Sequence, residues 1–331
     1  MILVAGSANL DFVVNATHIP APGETVLGRE FRTFPGGKGA NQAVAVARAG
    51  GVATHMLLAL GMDAFAAPIE ASLRQAGVVL HPQRLPDVAT GTAFICVSDD
   101  AENAITVAPG ANAFLQGQHL QSAEMPPLAD FSHLLLQLET PLEAVTAFAQ
   151  AAQQAGVQVV LNAAPAQRLP TGLLADVDVL VVNAGELAIV AGGLKEPMQP
   201  LRTIDQQLTQ LAMAFPRCTV VVTLGAHGCC AQTAGSAMRV FQPAFAITPV
   251  DTTAAGDTFC GALAAALSQK APFSEALRQA SAAAALACTR AGAQASIPSL
   301  VEVQAFLNRQ PLPPGADPKA RAAVQRFIGL P

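Results

Sequence analysis

Between Val52 and Pro200 the chain repeats one pattern: a short apolar run, a polar turn, then an amphipathic segment of helical period. The apolar runs are Val52–Ala59, Ser132–Gln137, Val157–Asn162 and Val177–Val182, and the amphipathic segments are Asp63–Ala76, Pro141–Ala155 and Glu186–Ala191. Parallel neighbours need a crossover and the crossover helix covers the sheet, so this alternation predicts a mainly parallel central sheet buried on both faces. Pro141 suits the first turn of its helix, where a missing N–H costs nothing. Met1–Gly6 reads as a buried first strand: no basic segment precedes it and Asp11 follows soon after, unlike a signal peptide. A cytoplasmic location is therefore expected.

Composition excludes two classes. Hydrophobic residues make up 52% of the chain, but no apolar run approaches the eighteen or so residues of a membrane span. With a formal net charge of −5 and no Lys/Arg cluster, a nucleic-acid surface is not expected, and the partners should be small molecules. The six cysteines show no C-x-x-C spacing, lie mostly in apolar segments and are expected to be reduced.

The stretch Val250-Asp251-Thr252-Thr253-Ala254-Ala255-Gly256-Asp257-Thr258-Phe259 runs into an alanine-rich helical pattern ending at Leu267. Small residues at a helix start leave several backbone N–H groups free to face an anion. Asp257 sits among them, and a carboxylate there suits a proton acceptor for a hydroxyl receiving a phosphoryl group. An ordinary carboxylate pKa of about 4 is adequate for that task. Taken alone, the stretch also fits an ordinary helix N-terminus with an acid in its first turn.

A second stretch, Phe34-Pro35-Gly36-Gly37-Lys38-Gly39-Ala40-Asn41-Gln42-Ala43, opens a helix expected to run to Ala49. Its glycines permit close approach to a polyhydroxylated ligand, and Asn41 offers a donor and an acceptor. It is not a P-loop, because Gly39 stands where a Ser or Thr is needed for magnesium. Asn9 and Asp11 lie just past the first strand, where ligands of open α/β sheets bind, and alternate with Leu10 so that both face one way. A capped turn is the other reading of that stretch.

Together the two motifs, G-G-K-G-A-N-Q and D-T-x-A-A-G-D-T-F, resemble the paired signatures of the ribokinase-like (PfkB) family of carbohydrate kinases, from Gly6 to about Arg309. The resemblance implies a three-layer α/β sandwich with a central mainly parallel sheet and a small β-sheet lid. Residues 1–310 would form the kinase domain, with the lid from about 12–34 and 90–108, and 311–331 a C-terminal extension. Thr25–Leu27, Gly91–Ser98 and Asn103–Val107 resemble lid strands, hinged at 99–102, and lids of this kind also make homodimer contacts. Excluding water in this way protects an activated phosphoryl group from hydrolysis.

The implied activity is ATP-dependent phosphorylation of the primary hydroxyl of a pentose, first of all ribose. Fructokinase-like, deoxyribokinase-like and nucleoside kinases and a catalytically silent sugar-binding protein are the alternatives. The resemblance makes Asp257 the base, flanked by Ala254, Ala255 and Gly256. It gives Asn9, Asp11, Gly37, Lys38, Asn41 and Glu139 to the sugar. To the nucleotide it gives Asn183, Thr223, Leu224, Gly225, Ala226, His227, Gly228, Gly256 and Ser281. Glu186 would order Mg²⁺ through water, and Asp251, Thr253, Ala287, Arg290, Gly292 and Ser296 would surround K⁺.

Some of these residues have plainer readings. A strand-end Glu such as Glu139 is more often a helix N-terminal partner. Asn183-x-x-Glu186 also fits a capping box, and a loop histidine such as His227 is usually solvated. Ser281 stands where the family often has histidine, and Gly61-Met62-Asp63 replaces G-D-D. Phe273–Gly292 reads as one long helix and Gly228–Thr233 and Ala237–Phe241 as strands. The Pro- and Gly-containing tail predicts a loosely packed terminus with at most a short helix at Lys319–Ile328.

Overall fold

The structure, a computed structural model, describes residues 1–100, 102–121, 125–194, 203–310 and 318–330. In chain order its strands are β1 (Ile2–Ala5), β2 (Asn9–Asn15), β3 (Glu30–Gly36), β4 (Thr54–Gly61), β5 (Val79–Leu85), β6 (Gly91–Val97), β7 (Asn103–Ala108), β8 (His133–Leu136), β9 (Gln158–Asn162), β10 (Val179–Asn183), β11 (Thr219–Thr223), β12 (Cys229–Gln232) and β13 (Arg239–Gln242). The helices are α1 (Lys38–Arg48), α2 (Ala66–Gln75), α3 (Leu142–Gln154), α4 (Thr171–Ala175), α5 (Ala184–Gly192), α6 (Ile204–Ala214), α7 (Ala255–Ser268), α8 (Phe273–Ala287), α9 (Leu300–Asn308) and α10 (Pro318–Ile328).

The larger sheet has the order β13-β12-β11-β10-β9-β8-β1-β4-β5, and only the β11–β12 and β12–β13 pairings are antiparallel. Alternate residues of its strands enter two separate apolar cores: Ile2, Val4, Leu135 and Val221 on one face, Leu3, Ala5, Leu134, Leu136, Val220 and Val222 on the other. This is the expected consequence of helices covering both faces. The smaller sheet, β3-β2-β6-β7, is mixed: β2 pairs antiparallel with β3 but parallel with β6.

Several expectations need correction. Thr25–Leu27 is not a strand; the lid strand on that side is Glu30–Gly36, and Leu27 is left 87% exposed. The capped-turn alternative for Asn9 and Asp11 falls: they lie just past β1 in extended backbone and begin the lid's own β2. Strand β5 went unforeseen because Pro82 and its polar neighbours mask it, yet it is the sheet's edge, where a missing N–H is tolerated. Pro141 is the N-cap of α3, not a first-turn residue. Helix α8 ends at Ala287, five residues before Gly292, whose φ of 95° lies in the left-handed region. Of the proposed 99–102 hinge, residue 101 lies outside the described residues.

The tail is better anchored than its composition suggests. Val324 and Ile328 of α10 are buried in the second core, Arg321 lies 5.5 Å from the Phe241 ring centroid, and the Phe327 ring stacks on His227 at 4.0 Å. An i, i+4 apolar pair on a helix is enough to dock it, whatever the Pro/Gly content before it.

Candidate active site

Helices α1 and α7 cross unusually closely, because a side chain on Gly261 would lie 2.5 Å from the Ala45 methyl and 2.6 Å from the Gln42 carbonyl. That crossing sets the first turns of the two helices side by side. Across it, Asn41 Nδ2 donates to Asp257 Oδ2 at 3.0 Å and Gln42 Nε2 donates to Asp257 Oδ1 at 2.9 Å. Gln42 is itself held: the same amide donates to Asn162 Oδ1 at 3.0 Å, and its Oε1 accepts from Gln137 Nε2 at 2.7 Å. Gln42 was not singled out in the sequence; its available signal was a polar residue following Asn41 and leading into the apolar run Ala43–Ala47, and the structure buries it fully.

Burial pushes the Asp257 carboxyl above its ordinary value; the Lys38 charge and the two amides act against this without cancelling it. The ordinary pKa of about 4 expected from sequence therefore does not hold, because the group is almost wholly removed from water. Lys38 is likewise drawn down by burial, but Asp257, Glu139 and Glu186 outweigh this and raise it, so it stays cationic.

The first turn of α7 has no side-chain cap, and Ala254 before it adopts φ 58°, a left-handed conformation that costs a non-glycine residue on the order of 1 kcal/mol. Ala255 N–H, expected to face the anion, instead donates to the Thr252 carbonyl at 3.2 Å. Among the described residues no acceptor engages Gly256 N–H or Asp257 N–H, and space is open where a Gly256 side chain would be. They face a cleft of about 240 Å³ whose walls include Lys38, Asn183, Glu186, Thr223, Thr252 and Asp257.

Toward the lid, Gly37 begins α1 with φ 87°, and a side chain there would lie 2.8 Å from Ala8 Cα and Asn9 N. The plainer reading of Glu139 holds, though for a different helix: its Oε2 accepts from Lys38 N–H at 2.9 Å and from the Ser7 hydroxyl at 2.6 Å, at the start of α1. Asn9 Oδ1 accepts from Asn112 Nδ2 at 2.7 Å, a clamp that also ties Asn112 to the Ala8 backbone. Asp11 stands against Gly36, where a side chain would meet its carboxylate at about 2 Å. Its pKa is pushed up to about 7 by burial, then by the charges of Glu139 and Asp257. The lid thus places Asp11 within electrostatic reach of Asp257.

At the cleft's other end, Asn183 and Glu186 form a capping box on α5: Glu186 N–H donates to Asn183 Oδ1 at 2.8 Å and Asn183 N–H to Glu186 Oε2 at 2.7 Å. Burial raises the Glu186 pKa. Thr223 ends β11 and lines the cleft, and Leu224 leads into the short helical turn Gly225–His227 before Gly228. The structure does not bring Ser281 to the cleft; it is buried with its hydroxyl 3.8 Å from Cys229 Sγ. His227 stacks on Phe327 but stays exposed, as expected of a loop histidine.

Behind the α7 turn, Asp251 accepts from Thr253 N–H and Gly292 N–H, both at 2.8 Å. Burial works to raise its pKa, but these bonds outweigh it and hold the carboxyl below its ordinary value. Ser296 is fully buried and donates to Ala293 O at 2.8 Å, while Arg290 pairs with Glu302 at 2.5 Å. Ala287 is the last residue of α8. The structure thus joins Asp251, Thr253 and Gly292, whereas the Arg290 side chain is committed elsewhere.

Comparison with known proteins gives one consistent match. The model of the pfkB family of carbohydrate kinases matches residues 1–300. The chain is 38% identical over 311 residues to the ribokinase of Haemophilus influenzae, covering 92% of this chain and 98% of that one. The crystal structure of ribokinase from Thermotoga maritima superposes with a TM-score of 0.84 at 34% identity, covering 93% and 99% of the two chains. The structure of Arabidopsis thaliana ribokinase complexed with ribose and ATP gives a TM-score of 0.81 at 31% identity, covering 92% and 98%.

Proposed function

The chain belongs to the pfkB family of carbohydrate kinases, and we propose that it transfers the γ-phosphoryl group of ATP to the primary hydroxyl of a pentose, D-ribose at O5. The observation that carries this reading is Asp257: a buried carboxylate, oriented by two amide donors, at the head of a helix whose next free N–H groups face a cleft. Phosphoryl transfer needs positioning and charge stabilisation above all, and this arrangement supplies both. Asp257 takes the hydroxyl proton while Gly256 and Asp257 N–H groups stabilise charge on the transferred group.

The sugar would lie between Asn9, Asp11, Gly37, Asn41 and Asp257. Support comes from Asn41 Oδ1, a buried acceptor that no donor in the described structure satisfies, which a sugar hydroxyl would fill. The Lys38 ammonium then sits at the phosphate end of the cleft. Asn183, Thr223 and the Leu224–Gly228 turn would line the nucleotide. The donor chemistry at Glu186 suits Mg²⁺ held through water, since one carboxylate oxygen is already spent on Asn183 N–H. Asp251, kept anionic, with the carbonyls around Thr253 and Gly292, fits a monovalent cation such as K⁺, which would fix the direction of the α7 turn.

A homodimer through the lid is part of the same proposal. Register places Val13, Ile95, Ile105 and Val107 on the face that carries Asp11, and Ile105 and Val107 are 55% and 44% exposed. Such an apolar face suits both a lid over the sugar and a mating surface.

The deciding experiment is ATP consumption with a panel of pentoses, hexoses and nucleosides, with the phosphorylated position read by NMR. Turnover on ribose with phosphate on O5 supports the proposal. Preference for a hexose or nucleoside replaces the substrate, and binding of ribose without turnover replaces the enzyme with a sugar-binding protein.

A further inference from the structure

A second cavity, of about 440 Å³, shares no lining residue with the cleft; it lies between α1, the end of α2, the end of β3 and the loop after Gly292. Three polar side chains are tied together in its wall. Arg48 Nη1 donates to the Gln294 carbonyl at 3.3 Å, and the Ser72 hydroxyl donates to Gln294 Oε1 at 2.6 Å. Gln294 is only 5% exposed, and its Nε2 is buried with no acceptor among the described residues. A buried donor without an acceptor is destabilising, and a ligand oxygen would satisfy it.

Arg48 is half-buried and forms no ion pair with any carboxylate among the described residues. Partly desolvated guanidinium without a counter-ion is uncommon, because its charge is not repaid. Phe34 and Val44 supply apolar wall, and Gln75, exposed on α2, stands at the rim. The size falls in the range of small-molecule sites.

We propose that this cavity binds a small monocarboxylate with a compact apolar body. One guanidinium among neutral amide and hydroxyl donors balances one negative charge, and its planar fork matches a carboxylate. A phosphate dianion would leave a charge uncompensated, and a neutral ligand would leave the fork unused. The carboxylate accepts from Arg48 and Gln294 Nε2, and its body packs on Phe34 and Val44. Arg48 lies seven residues beyond Asn41, about 10 Å along α1, so the ligand is distinct from the sugar and does not depend on the kinase reading.

The test is a titration of the full chain with 4-fluorobenzoate followed by ¹⁹F NMR. Saturable binding at one site is expected, unchanged by ATP and by Asp257→Asn. Losing a charge-assisted bidentate contact in Arg48→Met should weaken it roughly tenfold or more. Gln75→Trp, on an exposed helix surface, should block the rim with similar loss, so the proposal survives a fold defect in the arginine variant. It is overturned by the absence of saturable binding, by displacement with ATP, by unchanged affinity in both variants, or by inorganic phosphate competing at lower concentration than 4-fluorobenzoate.

Discussion

Asn41 and Asp257, 216 residues apart in the chain, meet at 3.0 Å, the amide of one holding the carboxylate of the other. Replacing Asp257 by Asn keeps the size and the helix but removes the proton acceptor. We expect kcat to fall by about 10²- to 10⁴-fold while ribose and Mg-ATP still bind. Near-parental kcat with both substrates saturating would remove Asp257 from the chemistry.

Gln42 supplies the second donor to Asp257, and that bond favours the ionised form. Gln42→Leu should therefore raise the Asp257 pKa further. A hydrogen bond to a charged group is worth about 1.5–3 kcal/mol. The acid limb of the kcat–pH profile should move to higher pH, and kcat on the alkaline plateau should recover most of the loss. An unshifted limb with a uniform drop in activity would make Gln42 merely structural.

Asp11 has a folded pKa of about 7 against an ordinary 3.8, so the folded state binds its proton more tightly. Its contribution to stability is full at pH below about 4 and is lost as pH rises through 7. Asp11→Asn should accordingly be more stable than the parent at pH 8, by up to a few kcal/mol, with the difference vanishing near pH 4. The same variant should raise the ribose KM at pH 8, where the carboxylate would accept sugar hydroxyls. Parallel denaturant titrations at the two pH values and one KM measurement check both statements; an unchanged KM takes Asp11 out of the sugar site.

Asp251 ties Thr253, just before the α7 turn, to Gly292 through its two carboxylate oxygens. If a cation reinforces that tie, adding K⁺ to a tetramethylammonium buffer with saturating Mg-ATP should raise kcat, and Asp251→Ala should blunt the response. Equal turnover with and without K⁺, in reagents free of alkali ions, rejects the cation and leaves the kinase reading in place.

Elements with one clear period were legible. The sheet strands are apolar runs and α1 begins within its glycine stretch, so most were placed within two or three residues. Strand β5 escaped because Pro82 and its polar neighbours mask an edge strand, whereas helix α6 did carry a signal, the Thr203/Gln206 capping box ahead of Ile204, Leu208 and Leu211 at helical spacing. At the site, the motif residues Lys38, Asn41 and Asp257 do converge. What could not be read was which partner each polar group prefers: Glu139 turns to the α1 start, Ala255 N–H to Thr252, and Ser281 to Cys229. Those choices depend on packing between segments far apart in sequence, which no local pattern encodes.

Strand β1 precedes the other strands in the chain, yet it lies inside the larger sheet, paired with β4 on one edge and β8 on the other. Its partner for Ile2 on the β8 side is His133. During synthesis, then, an apolar edge with unpaired backbone groups persists until more than a third of the chain has left the ribosome. Such an edge is an invitation to wrong pairing. We expect nascent chains stopped before residue 130 to be held by chaperones or to aggregate, and those extended past β8 to resist protease at Ile2–Ala5.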